Sequence, residues 1–145
     1  MNSPYLDTSA LVKLYYPEPE SEDLSRWILE KKSPLIFTSL HELELRNALS
    51  LKVYRRELTR RRSKAIERII RSDLKDGVLW RPPVAWGEVF SNGFKLLKHA
   101  GKIGSRSLDL LHVAAALELS CDSFLTYDDR QSRLAKAAGL KIRVI

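Results

Sequence analysis

Short apolar runs alternate with amphipathic stretches along the chain. Pro4-Tyr5-Leu6-Asp7 reads as a short buried strand ending in an acid. Thr8 and Ser9 open a helical stretch through Leu11, Val12, Leu14 and Tyr15, which Pro17 and Pro19 stop. Ser21 to Glu30 carries a helical stripe of Leu24, Trp27, Ile28 and Leu29. Leu35 to Thr38 is a second strand. A long helix is expected from about Leu40 to Tyr54, burying Leu43, Leu45, Ala48, Leu49 and Val53. Another runs from about Thr59 to Lys75. Val78-Leu79-Trp80 is a third strand, closed by Pro82 and Pro83. Trp86 to His99 is helical in pattern, and Gly101 and Gly104 mark a loop. Ser107 or Asp109 then caps an Ala- and Leu-rich helix ending near Ser120. Ser123 to Thr126 is a fourth strand. Asp128 or Asp129 starts a helix that Gly139 ends as the C′ residue, before a fifth strand from Lys141 to Ile145. This alternation predicts an α/β fold with a parallel sheet covered on both faces. Sites in such sheets form beyond the carboxyl ends of the strands, so acids at those ends matter.

Length sharpens that picture. The 145 residues predict a single domain over 1–145. A chain of this size buries roughly two-thirds of its unfolded surface and needs no staple. Cys121 is the only cysteine, which excludes an intrachain disulfide and a thiolate zinc cluster. That usage fits a reducing, cytoplasmic setting. Met1 to Leu6 has no basic segment or long apolar run, so neither signal peptide nor membrane span is expected.

Charge adds a second theme. The net charge is +7. Much of the excess falls in one segment, at Lys52, Arg55, Arg56, Arg60, Arg61, Arg62, Lys64, Arg68 and Arg71, opposed only by Glu57 and Glu67. Such a run is either a solvated helical hairpin or a surface that attracts a polyanion such as RNA or DNA. The two readings are compatible.

Four acids are the candidate chemistry. Asp7 follows strand one directly. Asp128 follows strand four in Thr126-Tyr127-Asp128-Asp129. Asp109 opens the helix after the Gly-containing loop, and Glu44 lies early on the helix after strand two. Taken singly, Asp7, Asp109 and Asp128 also read as helix-capping carboxylates. Glu44 alone reads as an exposed helix residue, with Glu42 as a neighbour of the same type. In a doubly wound sheet all four converge on one edge, where they repel unless protons or a cation neutralise them. A carboxylate-only set selects hard ions such as Mg²⁺ or Mn²⁺, which suit phosphodiester hydrolysis.

The motifs themselves resemble a known family. Tyr5-Leu6-Asp7-Thr8-Ser9-Ala10-Leu11 is similar to the opening of PIN domains, and Glu44-Leu45-Arg46-Asn47-Ala48-Leu49 to their second acidic motif. Arg106 to Ala116, around Asp109, resembles the third, and Phe124-Leu125-Thr126-Tyr127-Asp128 the fourth. All four occur in order, and they look most like VapC-type toxins of type II toxin–antitoxin pairs. The resemblance implies a three-layer α/β/α sandwich around a five-stranded parallel sheet. It implies a Mg²⁺- or Mn²⁺-dependent endoribonuclease acting on tRNA or rRNA, a homodimer, and a VapB-type antitoxin partner. It makes Asp7, Glu44 and Asp109 the main metal-site acids, completed by Asp128. Thr8, Ser9 and Thr126 are then ligand-binding hydroxyls.

Several residues have two readings. Arg106 either clamps a phosphate or pairs with a nearby acid. Arg46 either meets an antitoxin carboxylate or is an ordinary surface residue. His112 shares the helix face of Asp109 and is either a base, a ligand or a packed structural histidine. A phosphoacceptor receiver is disfavoured, because strand one ends in one acid and strand three in none. A non-catalytic PIN-fold binding module and a structure-specific DNA nuclease remain alternatives.

Overall fold

The computed structural model describes residues 3–145. Of the opening segment read for a leader, Met1 and Asn2 lie outside the described residues. The elements are β1 (Pro4–Leu6), α1 (Thr8–Tyr15), α2 (Ser21–Lys31), β2 (Leu35–Ile36), α3 (Ser39–Tyr54), α4 (Arg60–Lys75) and β3 (Leu79–Trp80). They continue with α5 (Trp86–Ile103), α6 (Ser107–Glu118), β4 (Ser123–Leu125), α7 (Asp129–Ala137) and β5 (Lys141–Ile142). Contacts divide the chain into two compact units: the segment up to Ala10 with Pro83–Ile145, and Leu11–Pro82.

In the first unit, β1, β4 and β5 form a parallel ladder in that order. Tyr5 lies opposite Phe124 and Leu6 opposite Leu125. The Tyr5 and Phe124 rings stack with centroids 5.4 Å apart. Such cross-strand aromatic pairs fix register, because a one-residue slip would turn every side chain to the other face. The ladder outlasts the strand: the Asp7 amide donates to the Leu125 carbonyl at 3.2 Å. Tyr5, Leu6, Val89, Val113, Phe124, Leu125 and Leu134 fill the core, with the alanines of α6 letting that helix pack closely.

In the second unit, β2 and β3 pair in parallel and α3 packs beside α4. The pairing is carried past the start of β3 and the end of β2. Leu35 donates to the Val78 carbonyl at 2.9 Å and Phe37 to that of Trp80 at 2.7 Å. Leu11, Leu24, Phe37, Leu45, Leu49 and Ile70 form its core. Thr38 caps α3, and the buried His41 ring accepts from the Thr38 amide at 3.0 Å. That bond gives His41 a structural role.

Three expectations need correction. Among the described residues the five strands form and every pairing is parallel, but they make a three-stranded and a two-stranded ladder rather than one five-stranded sheet. β2 and β3 are two residues long, enough for one short pairing and little more. Gly101 is not in a loop, since α5 continues to Ile103 and ends at Gly104, whose φ of 82° suits glycine. Leu29 and Leu43 are exposed rather than buried. Leu45 and Leu49, one turn apart, set the buried face of α3, and a residue two positions from Leu45 points away from it. Gly139 does take the left-handed φ expected after α7, at 94°. Among the described residues no helix is long and apolar enough to cross a membrane.

Candidate active site

Asp7 stands where β1 passes into α1. Its side chain caps that helix, accepting from the Ala10 amide at 3.0 Å and the Ser9 hydroxyl at 2.7 Å on one oxygen. The other oxygen accepts from the Thr126 hydroxyl at 2.5 Å. Only 5% of Asp7 is exposed. Burial pushes its carboxyl above the ordinary value of 3.8, and the bonds from Thr126, Ser9 and Ala10, with nearby His112, offset only part of that. A cap alone does not need burial, and most capping acids sit in water.

Asp128 caps α7 by accepting from the Gln131 amide at 3.1 Å. Its own amide donates to the Thr126 hydroxyl at 3.0 Å. Thr126 therefore links the acids that follow β1 and β4. Asp109 lies in the first turn of α6 and accepts from the Arg106 amide at 3.1 Å. The Arg106 guanidinium stays exposed, 3.6 Å from the Asp109 carboxylate. The capping readings hold for Asp7 and Asp128 at the N-cap and for Asp109 as the capping-box acid in the first turn of α6.

Gln131 completes the chain of contacts, and the motif reading missed it. It is 2% exposed, and its side-chain amide donates to the Asp109 carbonyl at 3.2 Å. One residue thus holds Asp128 through its main chain and the Asp109 backbone through its side chain. Its Oε1 is buried with no hydrogen-bond partner. The spacing Asp128-x-x-Gln131 signals the main-chain cap, as in a capping box, but not the reach to Asp109.

Several of the remaining predicted residues have partners of their own. Thr8 and Tyr5 hold the buried His112, with Thr8 Oγ1 3.1 Å from Nε2 and the Tyr5 hydroxyl 2.8 Å from Nδ1. Both ring nitrogens are engaged, so His112 is a structural bridge. Glu44 lies on α3 in the second unit, part-buried. Its neighbour Glu42 is held by Arg81 at 2.6 Å and Arg46 at 3.9 Å, and Arg46 also reaches Glu67 at 3.5 Å. Glu42 and Arg46 are thereby accounted for as members of a surface ion-pair network.

The donor chemistry fits a hard divalent cation. Every candidate donor is oxygen, His112 is occupied, and burial pushes the Cys121 thiol up to about 12, so no thiolate competes. Asp7 is held in place while its charge is disfavoured, a mismatch that a nearby cation relieves. Among the described residues no three His, Cys, Asp or Glu side chains form a ready cage. An ion bound by fewer carboxylates that retains waters is the habit of Mg²⁺. Beside Asp128 a groove of about 320 Å³ opens past β4 and β5, lined by Thr126, Tyr127, Ser132 and Arg143.

A parallel ladder with acids following β1 and β4 at its carboxyl edge is an α/β arrangement that places its polar groups where such sheets form sites. The PIN domain model matches residues 5–137, and the chain belongs to the PIN-domain family. It is 34% identical over 140 residues to Ribonuclease VapC46 of Mycobacterium tuberculosis, covering 95% of this chain and 94% of that one. The fold is similar to that in VapBC2 from Rickettsia felis, solved bound to a DNA fragment from their promoter. The TM-score there is 0.67 at 16% identity, over 96% of each chain. It is also similar to that in FitAcB from Neisseria gonorrhoeae, with TM-score 0.63 at 16% identity, over 97% of this chain and 96% of that one.

Proposed function

We propose that residues 1–145 act as one PIN nuclease domain, a metal-dependent endoribonuclease that is the toxin of a toxin–antitoxin pair. The observation that carries this reading is buried Asp7, joined through Thr126 to Asp128. The likeness to a VapC ribonuclease along nearly the whole chain supports the substrate class.

Asp7, Glu44, Asp109 and Asp128 are the residues that would hold the cation, Mg²⁺ or Mn²⁺. When bound, it supplies Lewis acidity, making water more acidic and neutralising charge that gathers on phosphoryl oxygens. The chain's own groups do the rest. Ser9, the Ala10 amide and Thr126 hold Asp7 in one rotamer, with its proton disfavoured once a positive charge is near. Arg106, exposed and beside Asp109, would exchange that pairing for a phosphate, and the groove beside Asp128 would give the strand a path. The bond broken is a phosphodiester P–O, with water as nucleophile, leaving a 5′-phosphate and a 3′-hydroxyl.

The same reading supplies the partners. The substrate is a structured RNA of the tRNA or rRNA kind, the active form is a homodimer, and a VapB-type antitoxin blocks the site in the cytoplasm. The test is cleavage of a folded cellular RNA pool with Mg²⁺, with Mn²⁺ and with EDTA, beside Asp7→Asn. Discrete cuts that need metal and Asp7 are expected. Cuts that persist in EDTA or in the variant would refute it.

A further inference from the structure

The basic helix α4 is built against its own stability. At 100° per residue, Arg60, Lys64, Arg68, Arg71 and Lys75 fall within an arc of about 80°, and Arg61 borders it. The stripe runs about 22 Å along the helix. All six side chains are exposed, and among the described residues none makes an ion pair. Like charges one turn apart weaken a helix. Arg60, Arg61 and Arg62 also occupy the first turn, where no acid offsets the positive end of the helix dipole. The acids nearby are spent elsewhere: Glu67 pairs with Arg46, and Glu57 with Lys52. Folding accounts for Ile66 and Ile70, which are buried on the opposite face, but not for this stripe.

A second feature lies beside it. Tyr54, the last residue of α3, is 85% exposed. With Val53, Arg60, Ser63 and Lys64 it lines a groove of about 390 Å³. An open aromatic ring next to regularly spaced cations is what unpaired nucleotides require: a face for a base and charges for the backbone.

We propose that the α3–α4 hairpin is a binding surface for single-stranded RNA, with a base stacked on Tyr54 and successive phosphates along Arg60, Lys64, Arg68 and Arg71. It rests on the ribonuclease reading and adds where the substrate is gripped. A solvated charge run would not need the aromatic, and cations repeated along one stripe suit the repeating phosphates of a nucleic-acid strand.

The test is fluorescence anisotropy of a labelled oligouridylate of about 12 nucleotides, titrated with full-length protein in EDTA over a range of salt. In the combined Arg60→Gln, Lys64→Gln, Arg68→Gln variant, affinity is expected to fall at least about tenfold. The slope of log K against log salt should drop by about 2, at roughly 0.7 per lost phosphate contact. Tyr54→Ala should weaken binding about 5-fold to 150-fold with the slope unchanged. The Gln variant should melt no lower than the parent, because its losses relieve repulsion; this separates lost contact from lost fold. Unchanged affinity and slope in the Gln variant would overturn the proposal. So would equal competition by polyglutamate, which points to an acidic protein, or equal binding of an RNA duplex with Tyr54→Ala silent. RNA binding that follows this pattern in a protein that never cleaves RNA would uphold the surface and remove the nuclease reading instead.

Discussion

The acids of the first unit and the bases of the second use charge in opposite ways. Asp7 is buried, held by three hydrogen bonds and disfavoured as an anion. The α4 cations are exposed and, among the described residues, make no ion pair. A buried charge acts over a few ångströms with little screening, so its position and protonation matter. An exposed charge acts through number and spacing, and salt weakens it. The first arrangement suits chemistry at one bond, and the second suits holding a polymer.

The largest test of this contrast is Asp7→Asn. Cleavage should fall at least about 100-fold, the upper end of what loss of an outer-shell partner costs a metal site. Without metal the same variant should be more stable than the parent. The folded carboxyl titrates above 3.8, so the stability Asp7 contributes when protonated is present below that value and is lost as pH rises through the raised folded one. The gain in Tm from Asn should therefore be larger at pH 7 than at pH 4, in EDTA. An equal gain at both would show that the charge is not the cause.

Gln131→Met ranks next. It keeps the side chain's length, removes the amide bond to Asp109 and also removes the unpartnered Oε1. Tm should stay level or rise, while Mn²⁺ affinity, followed by electron paramagnetic resonance, weakens roughly tenfold. A fall in Tm with unchanged Mn²⁺ binding would make Gln131 a packing residue only.

Smaller effects belong to the basic unit. Thr59 caps α4 by accepting from the Arg62 amide at 3.2 Å. Thr59→Ala should cost about 1 kcal/mol in urea unfolding. It should also weaken RNA binding slightly by fraying the first turn of the stripe. Smallest of all, and back in the first unit, is Arg133→Ala, which removes an exposed pair with Asp129 at 3.3 Å. Its stability change should lie under about 0.5 kcal/mol and vanish at high salt. A larger loss there would blur the line drawn between buried and exposed charge.

Much of this molecule is legible from local pattern. The helices α2, α4, α5 and α7 show their apolar periodicity, and the alternation of types implies parallel pairing. Asp7 and Asp128 stand out because they end apolar runs, and the α4 stripe follows from spacing alone. These features depend on residues within a turn or two of each other, where 3.6-residue and two-residue periods speak directly.

What lay out of reach depends on distant partners. Thr126 meets Asp7 across 119 positions, and only the Tyr5–Phe124 register makes that possible. Gln131 reaches Asp109 because α6 and α7 pack together, which no window along the chain reveals. Glu42 joins the arginine network because Arg81 returns from beyond β3. The division into two ladders turned on strands only two residues long, where a single pairing decides the sheet. Sequence by itself determined which residues carry charge and which elements they ride on. Tertiary structure alone decided which charges lost their water, because desolvation and hydrogen bonding depend on what the fold brings from elsewhere in the chain.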